Sequence, residues 1–408
     1  MIRFQLALFV VVVMMLPPAA DAQNFGAGPL TSTLTDTEPT TGTLTWGRVR
    51  LAPGMTVQEL GTDDNVFDEK VDPKSDWVFR GTPDVSMFTR LRFAQLSTYV
   101  GSELAYYHKY SAERSAGVEG RGRLDLLLGR LRPFFGAGHT NTRTRPNAEI
   151  DVRAKRRLEE VSGGVGYELG QYNHVFAGLY RYRIDYRNAF EEGVDLSRTL
   201  NMETTKYMAG IRTAVTPLAM LTLQGGFQED RFEELLERNT DRNVADATLK
   251  IGTEAVLSGE VSVSYQWMEP RDPLVRPFRG ITSTIGVTYP FLEVGRVTVS
   301  FIRGFNYSFD VDEAYYKEMT GNLVYTHRLG GNYDLQLRGS LSAFDYGFRQ
   351  GVPHRRDKLD SAAGSLGYNL RNRTRIAMNY ESARRRSPVF DERDYDRHRW
   401  FFSWLYAF

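Results

Sequence analysis

From Trp46 to the end of the chain, segment after segment alternates apolar and polar side chains with a period of two, and this alternation limits the fold more than any other feature. In "YRYRIDYR" (180–187), Tyr180, Tyr182, Ile184 and Tyr186 alternate with Arg181, Arg183, Asp185 and Arg187. In "VSVSYQW", Val261, Val263, Tyr265 and Trp267 alternate with Ser262, Ser264 and Gln266. In "YDLQLRGSLS", Tyr333, Leu335, Leu337 and Leu341 oppose Asp334, Gln336, Arg338, Ser340 and Ser342. Turn clusters separate these segments throughout, and no helical period interrupts them. The count is about 18 strands, the pattern of a transmembrane antiparallel β-barrel. One run stays unexplained: Arg303 interrupts the apolar face of Val297, Val299, Phe301, Phe305, Tyr307 and Phe309.

The connections carry independent information. A short set ("RLRF" at 91, "GRLR" at 129, "GQYN" at 170, "TPLA" at 216, "SGE" at 258, "LEVG" at 292, "LGGN" at 329, "RNR" at 371) alternates with a longer, charged set such as "TRPNAEIDVRAKR" and "ARRRSPVFDERD". Outer-membrane barrels keep this parity, with periplasmic turns and external loops, whereas a soluble sandwich has no reason to. An even strand count places both mature termini in the periplasm.

The ends fit a secreted, membrane-inserted protein. Residues 1–22 combine Arg3, an apolar run from Phe4 to Leu16, and Ala20-Asp21-Ala22, the form of a signal peptide cleaved before Gln23. Residues 23–45, rich in Thr, Ser, Gly and Pro, read as a flexible periplasmic leader, and residues 46–408 as the barrel. The last segment, "RWFFSWLYAF", sets Trp400, Phe402, Trp404, Tyr406 and Phe408 on one face. In water that face would aggregate; against lipid it forms an interfacial girdle, and a terminal aromatic strand resembles the signal read by the barrel assembly machinery.

Applied to YRYRIDYR, the same logic turns Tyr180, Tyr182, Ile184 and Tyr186 to lipid and Arg181, Arg183, Asp185 and Arg187 to the lumen. The reverse would leave three arginines in hydrocarbon at roughly 2–4 kcal/mol each near the midplane. Parity adds Asp334, Arg338, Arg375, Glu381 and Arg399 to the candidate lining. A barrel of this size holds an aqueous interior unless something plugs it. Eight of the 51 basic residues are lysines, leaving 43 arginines, whose planar fork pairs with carboxylates and other anions. These groups either form a basic path for anions or simply neutralise one another across neighbouring strands.

Other chemistry finds little support. Net charge is +1, which gives no global field for nucleic acid, and the chain has no cysteine. The six histidines are scattered without metal-binding spacing, and no nucleophile signature occurs. "TDDNVFDE" lacks the central Gly and the terminal Glu of a calcium loop. No enzyme, metal or cofactor is expected.

Residues 47–87 resemble the start of the putative β-barrel porin 2 family of outer-membrane proteins. The matching features are the opening strand, the turn Asp63-Asp64-Asn65-Val66-Phe67, the pair Ser75-Asp76, and Pro83 in the next strand. The resemblance implies an association with exopolysaccharide synthesis and export, with a periplasmic export protein as partner. An arginine-rich barrel of this size also looks like alginate-type exporters. The expected function is therefore an outer-membrane exit for an exopolysaccharide or capsular polysaccharide, in contact with lipid and lipopolysaccharide. The alternatives are a passive porin for small anionic solutes and a non-transporting adhesin or scaffold. The external loops, at roughly 13–15 residues, are short enough that the in-folded constriction loop of porins is not expected. No plug-sized domain precedes Trp46, which argues against a TonB-type receptor.

Overall fold

The computed structural model describes residues 44–291, 294–370 and 374–407. Eighteen antiparallel wall strands occupy them. The first nine are β1 (Val49–Asp63), β2 (Asp76–Arg90), β3 (Ala94–Gly101 continued by Leu104–Tyr107), β4 (Ser115–Ala116 continued by Val118–Leu126), β5 (Leu131–Thr144), β6 (Ala154–Glu168), β7 (Asn173–Arg187), β8 (Met202–Thr216) and β9 (Ala219–Phe232). The second nine are β10 (Thr240–Ile251), β11 (Ser258–Pro270), β12 (Phe278–Phe291), β13 (Gly295–Tyr307), β14 (Tyr315–Gly330), β15 (Tyr333–Tyr346), β16 (Arg355–Leu370), β17 (Thr374–Arg386) and β18 (Tyr395–Ala407). Each pairs with its sequence neighbour, and β1 pairs with β18 from Gly54–Ala407 to Asp63–Arg399, which closes the barrel. The expected fold class and strand number are the observed ones.

Short turns join the strands at one end and nine longer loops at the other, so the alternating connection lengths are present as read. One turn is displaced: "SGE" lies inside β11, and the turn is 252–257. Before β1, Leu44–Trp46 folds back on Val49–Leu51 through a left-handed Gly47. Residues 1–43, which hold the expected signal peptide and most of the expected leader, lie outside the described residues, as do Phe408 and turn residues 292–293 and 371–373.

The outer face has the composition that a bilayer selects. Leu179, Ile211, Leu223, Val263, Val299, Leu323 and Leu337 are exposed at mid-height. Trp77, Trp267 and Trp400 stand toward the loop end, and Tyr167, Tyr289, Tyr333 and Trp404 toward the turn end. Trp400, Phe402 and Trp404 of the last strand point outward.

The uninterrupted strands run from 12 to 16 residues. Crossing hydrocarbon takes about 9–11 tilted residues, so the strands continue past the membrane at the loop end. This extra length overturns the expected facing of YRYRIDYR. Tyr180, Tyr182, Ile184 and Tyr186 are buried inside the barrel, and Arg181, Arg183, Asp185 and Arg187 lie on the outer face. The hydrocarbon penalty does not apply to them, because only the early half of β7, around Leu179, faces the apolar band. Farther along, outward arginines meet headgroups and water, while inward aromatics have a core to join.

That core accounts for the loop end of the barrel. Tyr180, Tyr182, Ile184 and Tyr186 pack with Leu196 and Leu200 of a short helix, α1 (Leu196–Leu200), with Ile150 of the β5–β6 loop, and with Phe278, Phe305, Phe309 and Tyr315 from the other side of the wall. A continuous apolar cluster thus crosses the lumen.

Candidate functional site: the closed mouth and the inner polar wall

The β5–β6 loop (145–153) closes the mouth. Asn147 shapes it by accepting hydrogen bonds from the backbone N–H of Glu149 and Ile150 (2.9 and 3.0 Å). The loop then reaches across the barrel. Glu149 accepts from Ser308 Oγ at 2.6 Å and from Phe309 N at 3.3 Å, both in the β13–β14 loop. Asp151 meets Arg385 of β17 at 3.2 Å. Arg145 donates to the Val66 carbonyl at 2.9 Å and meets Asp68 at 3.1 Å, both in the β1–β2 loop. Glu191 of the β7–β8 loop accepts from the N–H of Asp151 and Val152. The expectation that no loop folds into the barrel is therefore corrected. A nine-residue loop suffices because neighbouring loops fold in to meet it.

Arg238, in the β9–β10 loop, is the second fastening. It is almost fully buried, and its guanidinium donates to the carbonyls of Thr199 (2.9 Å), Ser308 (2.7 Å), Glu313 (2.5 Å) and Ala314 (3.1 Å). A buried cation surrounded by carbonyl dipoles holds the β13–β14 tip inside the mouth, with no carboxylate in hydrogen-bond contact among the described residues. Burial lowers its proton affinity, to about 10, and still leaves it charged at neutral pH. Burial also raises the Glu149 carboxyl to about 7, against the opposing pull of the Ser308 hydroxyl.

The motif residues that carry the family resemblance seat this assembly. Asn65 donates through Nδ2 to the Glu69 and Asp396 carbonyls (2.8 and 3.1 Å) and accepts from Glu69 N–H. Asp63 Oδ1 accepts from Asn65 N–H at 3.0 Å, and the Asp64 carboxylate accepts from His398 N–H at 2.7 Å. Val66 packs with Val78, Ala105 and Tyr107, and Phe67 meets Tyr110 edge-on. Ser75 accepts through its carbonyl from Lys109 Nζ, and Asp76 caps the N–H groups of Trp77, Lys109 and Tyr110. Pro83 of β2 pairs with Met55 of β1. These residues position the β1–β2 loop that receives Arg145.

Beneath the mouth the wall is polar. Asp334, Arg338, Arg375, Glu381 and Arg399 all point inward. Arg375 meets Asp334 at 2.6 Å and donates to Ser365 Oγ. Arg399 bridges Glu381 and Glu59, and Arg80 Nε reaches the same Glu59 at 2.8 Å. Arg338 makes no hydrogen bond or ion pair among the described residues, with Glu381 as its counter-charge. Glu59 reaches this face through a β-bulge: Val57 pairs with Gly81 and Glu59 with Arg80, which leaves Gln58 as the extra residue. Past the bulge β1 runs close to β18, and a Cβ on Gly61 would lie 2.0 Å from the Trp400 carbonyl oxygen.

The opposite wall carries hydrogen-bonded carboxylates. Asp230 accepts from Thr204 (2.6 Å), Gln228 (2.9 Å) and Tyr307 (2.6 Å) and pairs with Arg242. Asp246 accepts from Gln224, Ser262 and Ser264.

Four of the nine expected lining groups therefore belong to the outside instead. Arg181 pairs there with Glu203 at 2.6 Å, and Arg183 with Asp185 at 2.9 Å and with Glu233. Arg187 is exposed on that same face. The reading of the sequence missed Glu59, Arg80, Arg121, Arg123, Asp230 and Arg242 on the inner face. "VEGRGRLD" did hold a signal, since Glu119, Arg121, Arg123 and Asp125 alternate with small or apolar residues. Arg123 lies over the Phe134 ring, and Arg121 pairs with Glu119.

A closed 18-stranded wall with an apolar outer belt and a charged inner face defines an outer-membrane β-barrel of the porin type. The chain belongs to the family described as "Putative beta-barrel porin 2", whose model matches residues 44–403, far beyond the 47–87 segment that carried the resemblance. No curated protein matches the chain. Solved structures with a similar course include OccK2 (OpdF) of Pseudomonas aeruginosa in complex with glucuronate, at 12% identity and TM-score 0.49, covering 90% of this chain and 100% of that one. A BenF-like porin from Pseudomonas fluorescens Pf-5 has 10% identity and TM-score 0.49, covering 88% and 99%. The siderophore receptor PirA of Pseudomonas aeruginosa has 8% identity and TM-score 0.41, covering 88% and 80%. At these identities the likeness concerns the barrel fold alone.

Proposed function

We infer that the protein is a gated outer-membrane conduit for an acidic saccharide, the exit of an exopolysaccharide or capsular polysaccharide. The observation that carries this reading is the inner wall of β15–β18, β1 and β2. There arginines, carboxylates, amides and hydroxyls alternate beneath a mouth held shut by a few polar contacts. Sugars are recognised by such dense donor and acceptor lattices, and uronate or sulfate groups suit the arginine fork. In this reading the loop end faces outward and both mature termini lie in the periplasm after a signal peptide is removed. The terminal aromatic strand is delivered by the assembly machinery, the outer belt meets lipid and lipopolysaccharide, and a periplasmic export protein docks at the turn end.

The test is surface and periplasmic polysaccharide in a clean deletion, with the intact gene restored as control. Loss at the surface with polymer retained in the periplasm supports the exit role, and unchanged surface polymer removes it. A passive porin for small anions is the second reading, favoured by the fixed ion pairs of the wall, which leave an open polar face without needing a partner. Steady anion-selective conductance of the purified protein in a planar bilayer, with the polymer unaffected by deletion, would select it.

A further inference from the structure

The hydrogen-bond ladder between β12 and β13 stops short near the loop end. β11 and β12 pair as far as Met268 with Phe278, and β13 and β14 as far as Tyr307 with Tyr315. Between β12 and β13 the pairing ends at Ser283 with Arg303. Continued in register, Thr282, Ile281, Gly280 and Arg279 would face Gly304, Phe305, Asn306 and Tyr307. The end of β13 turns into the lumen instead. Phe305 has the parity of the outward residues Val299 and Arg303, yet it is buried. Its ring lies 4.8 Å from that of inward Phe278, with the guanidinium of Arg242, from the inner face of β10, 4.7 Å away. This departure explains Arg303, the residue that interrupted the apolar face in the sequence: it is the last outward residue of β13 before the strand leaves the wall.

A strap rather than a ladder spans the seam. The β15–β16 loop (347–354) meets the β11–β12 loop (271–277) across the in-folded β13–β14 tip. Arg276 N–H donates to the Phe348 carbonyl and Gln350 N–H to the Leu274 carbonyl, both at 2.8 Å, with Val275 opposite Arg349. Phe348 stacks on Tyr315, and the Lys317 ammonium sits over the rings of Phe348 (4.3 Å) and Phe278 (5.5 Å).

The level of the seam gives it meaning. Arg279 pairs with Trp267 and Ile281 with Tyr265, and both aromatics are exposed on the outer belt toward the loop end. The gap thus opens where the membrane's apolar band meets its interface. An open sheet edge does not persist against lipid; at that depth irregular backbone is tolerated only where protein covers it or a wet passage runs along it.

We propose that the β12–β13 seam is a lateral passage between the lumen and the outer leaflet that takes an amphiphile with an acyl chain and an anionic head. The chain runs along Phe278, Phe305 and Phe348, continuous with the lipid belt, and the head is held by Lys317 and Arg303. The proposal rests on the conduit role and orientation above and deepens them: the saccharide that passes here is lipid-linked.

The test uses the full barrel in lipid vesicles with a diazirine-bearing palmitic acid as probe, and labelled residues are read by mass spectrometry. The chain has no cysteine, so V275C/R349C forms a single defined cross-link on opposed residues that fastens the strap. In the reduced protein we expect label on Phe278 and Phe305. In the oxidised protein that label disappears while label on outward Leu179 persists. Inner label that is absent in both states, or equal in both, overturns the passage. Lys317→Glu keeps the backbone bonds of the strap, Arg276 to Phe348 and Gln350 to Leu274, and serves if the cysteine pair misfolds. A severalfold loss of inner label supports the assigned head position, and unchanged label overturns it. Bilayer conductance of the same samples reports on the conduit separately, so conductance without inner label removes the lateral passage alone.

Discussion

Glu149, in the β5–β6 loop, accepts a 2.6 Å hydrogen bond from the hydroxyl of Ser308, which belongs to the β13–β14 loop on the far side of the wall. This contact joins the two loops that close the mouth, and it titrates. Burial lifts the carboxyl from its ordinary 4.5 to about 7, while Arg393 and Arg355 pull the other way and the Tyr316 and Tyr346 hydroxyls lie nearby. A carboxyl raised in the closed state favours closure fully below pH 4.5 and loses that contribution as pH rises through 7. The shift corresponds to on the order of 3 kcal/mol. Conductance of the purified barrel should therefore rise between pH 5.5 and 8.5. Glu149→Gln should stay closed across that range, and an unchanged pH profile in that variant would refute the assignment.

Arg238 supplies the second fastening, and its loss should loosen the mouth without unfolding the barrel. Arg238→Ala removes the guanidinium donor from the carbonyls of Thr199, Ser308 and Glu313, at about 1–3 kcal/mol for each group that water cannot reach, while Ala314 keeps the Ser308 N–H. The expected outcome is faster proteolysis within 308–314 and larger conductance, with the heat-modifiable gel shift of the barrel retained. Arg238→Lys keeps the charge but not the fork, so it should fall between the two.

On the inner wall, Glu59 and Arg338 should behave differently. Glu59→Gln removes the shared partner of Arg80 and Arg399, leaving Arg80 without its carboxylate and Arg399 with Glu381 alone, which costs about 3–5 kcal/mol in a buried setting. The temperature of the gel shift should drop, and anion selectivity should rise. Among the described residues Arg338 has no hydrogen-bonded partner to strand, only the counter-charge of Glu381, so Arg338→Gln should change stability by about 0.5 kcal/mol or less while reducing anion conductance. Equal effects of the two substitutions on stability would contradict the pairing described.

The architecture was legible because a barrel writes its strands as alternation and its two ends as alternating connection lengths. Trp400, Phe402 and Trp404 point outward because they lie on a strand whose other face, Arg399 and Ser403, contacts inner partners such as Glu59 and Asn379. Alternation divides a strand into two faces but does not say how far along it the membrane ends. Arg181 and Arg183 were misassigned for that reason. The mouth was also invisible: Glu149, Ser308 and Arg238 sit in loops without a period, and they meet only because the closed wall brings distant loops together. The Asp63–Phe67 motif could be recognised by its resemblance, but its role in seating Arg145 follows from the folded loop alone.

The corrected facing of β7 makes the sharpest distinction between the two readings of YRYRIDYR. Tyr182 is buried among Tyr180 and the mouth core, whereas Arg183 is about half exposed on the outside, where it pairs with Asp185. Tyr182→Ala should cost about 3–5 kcal/mol, as loss of a buried aromatic does, and should release the β7–β8 loop to proteolysis. Arg183→Leu should change stability by about 0.5 kcal/mol or less, because an exposed ion pair contributes little. If the tyrosines faced lipid, the ranking would invert: alanine would be tolerated in the belt, and leucine in a polar lumen would break an interior pair. Measuring the gel-shift temperature of both variants beside the parent separates the two arrangements.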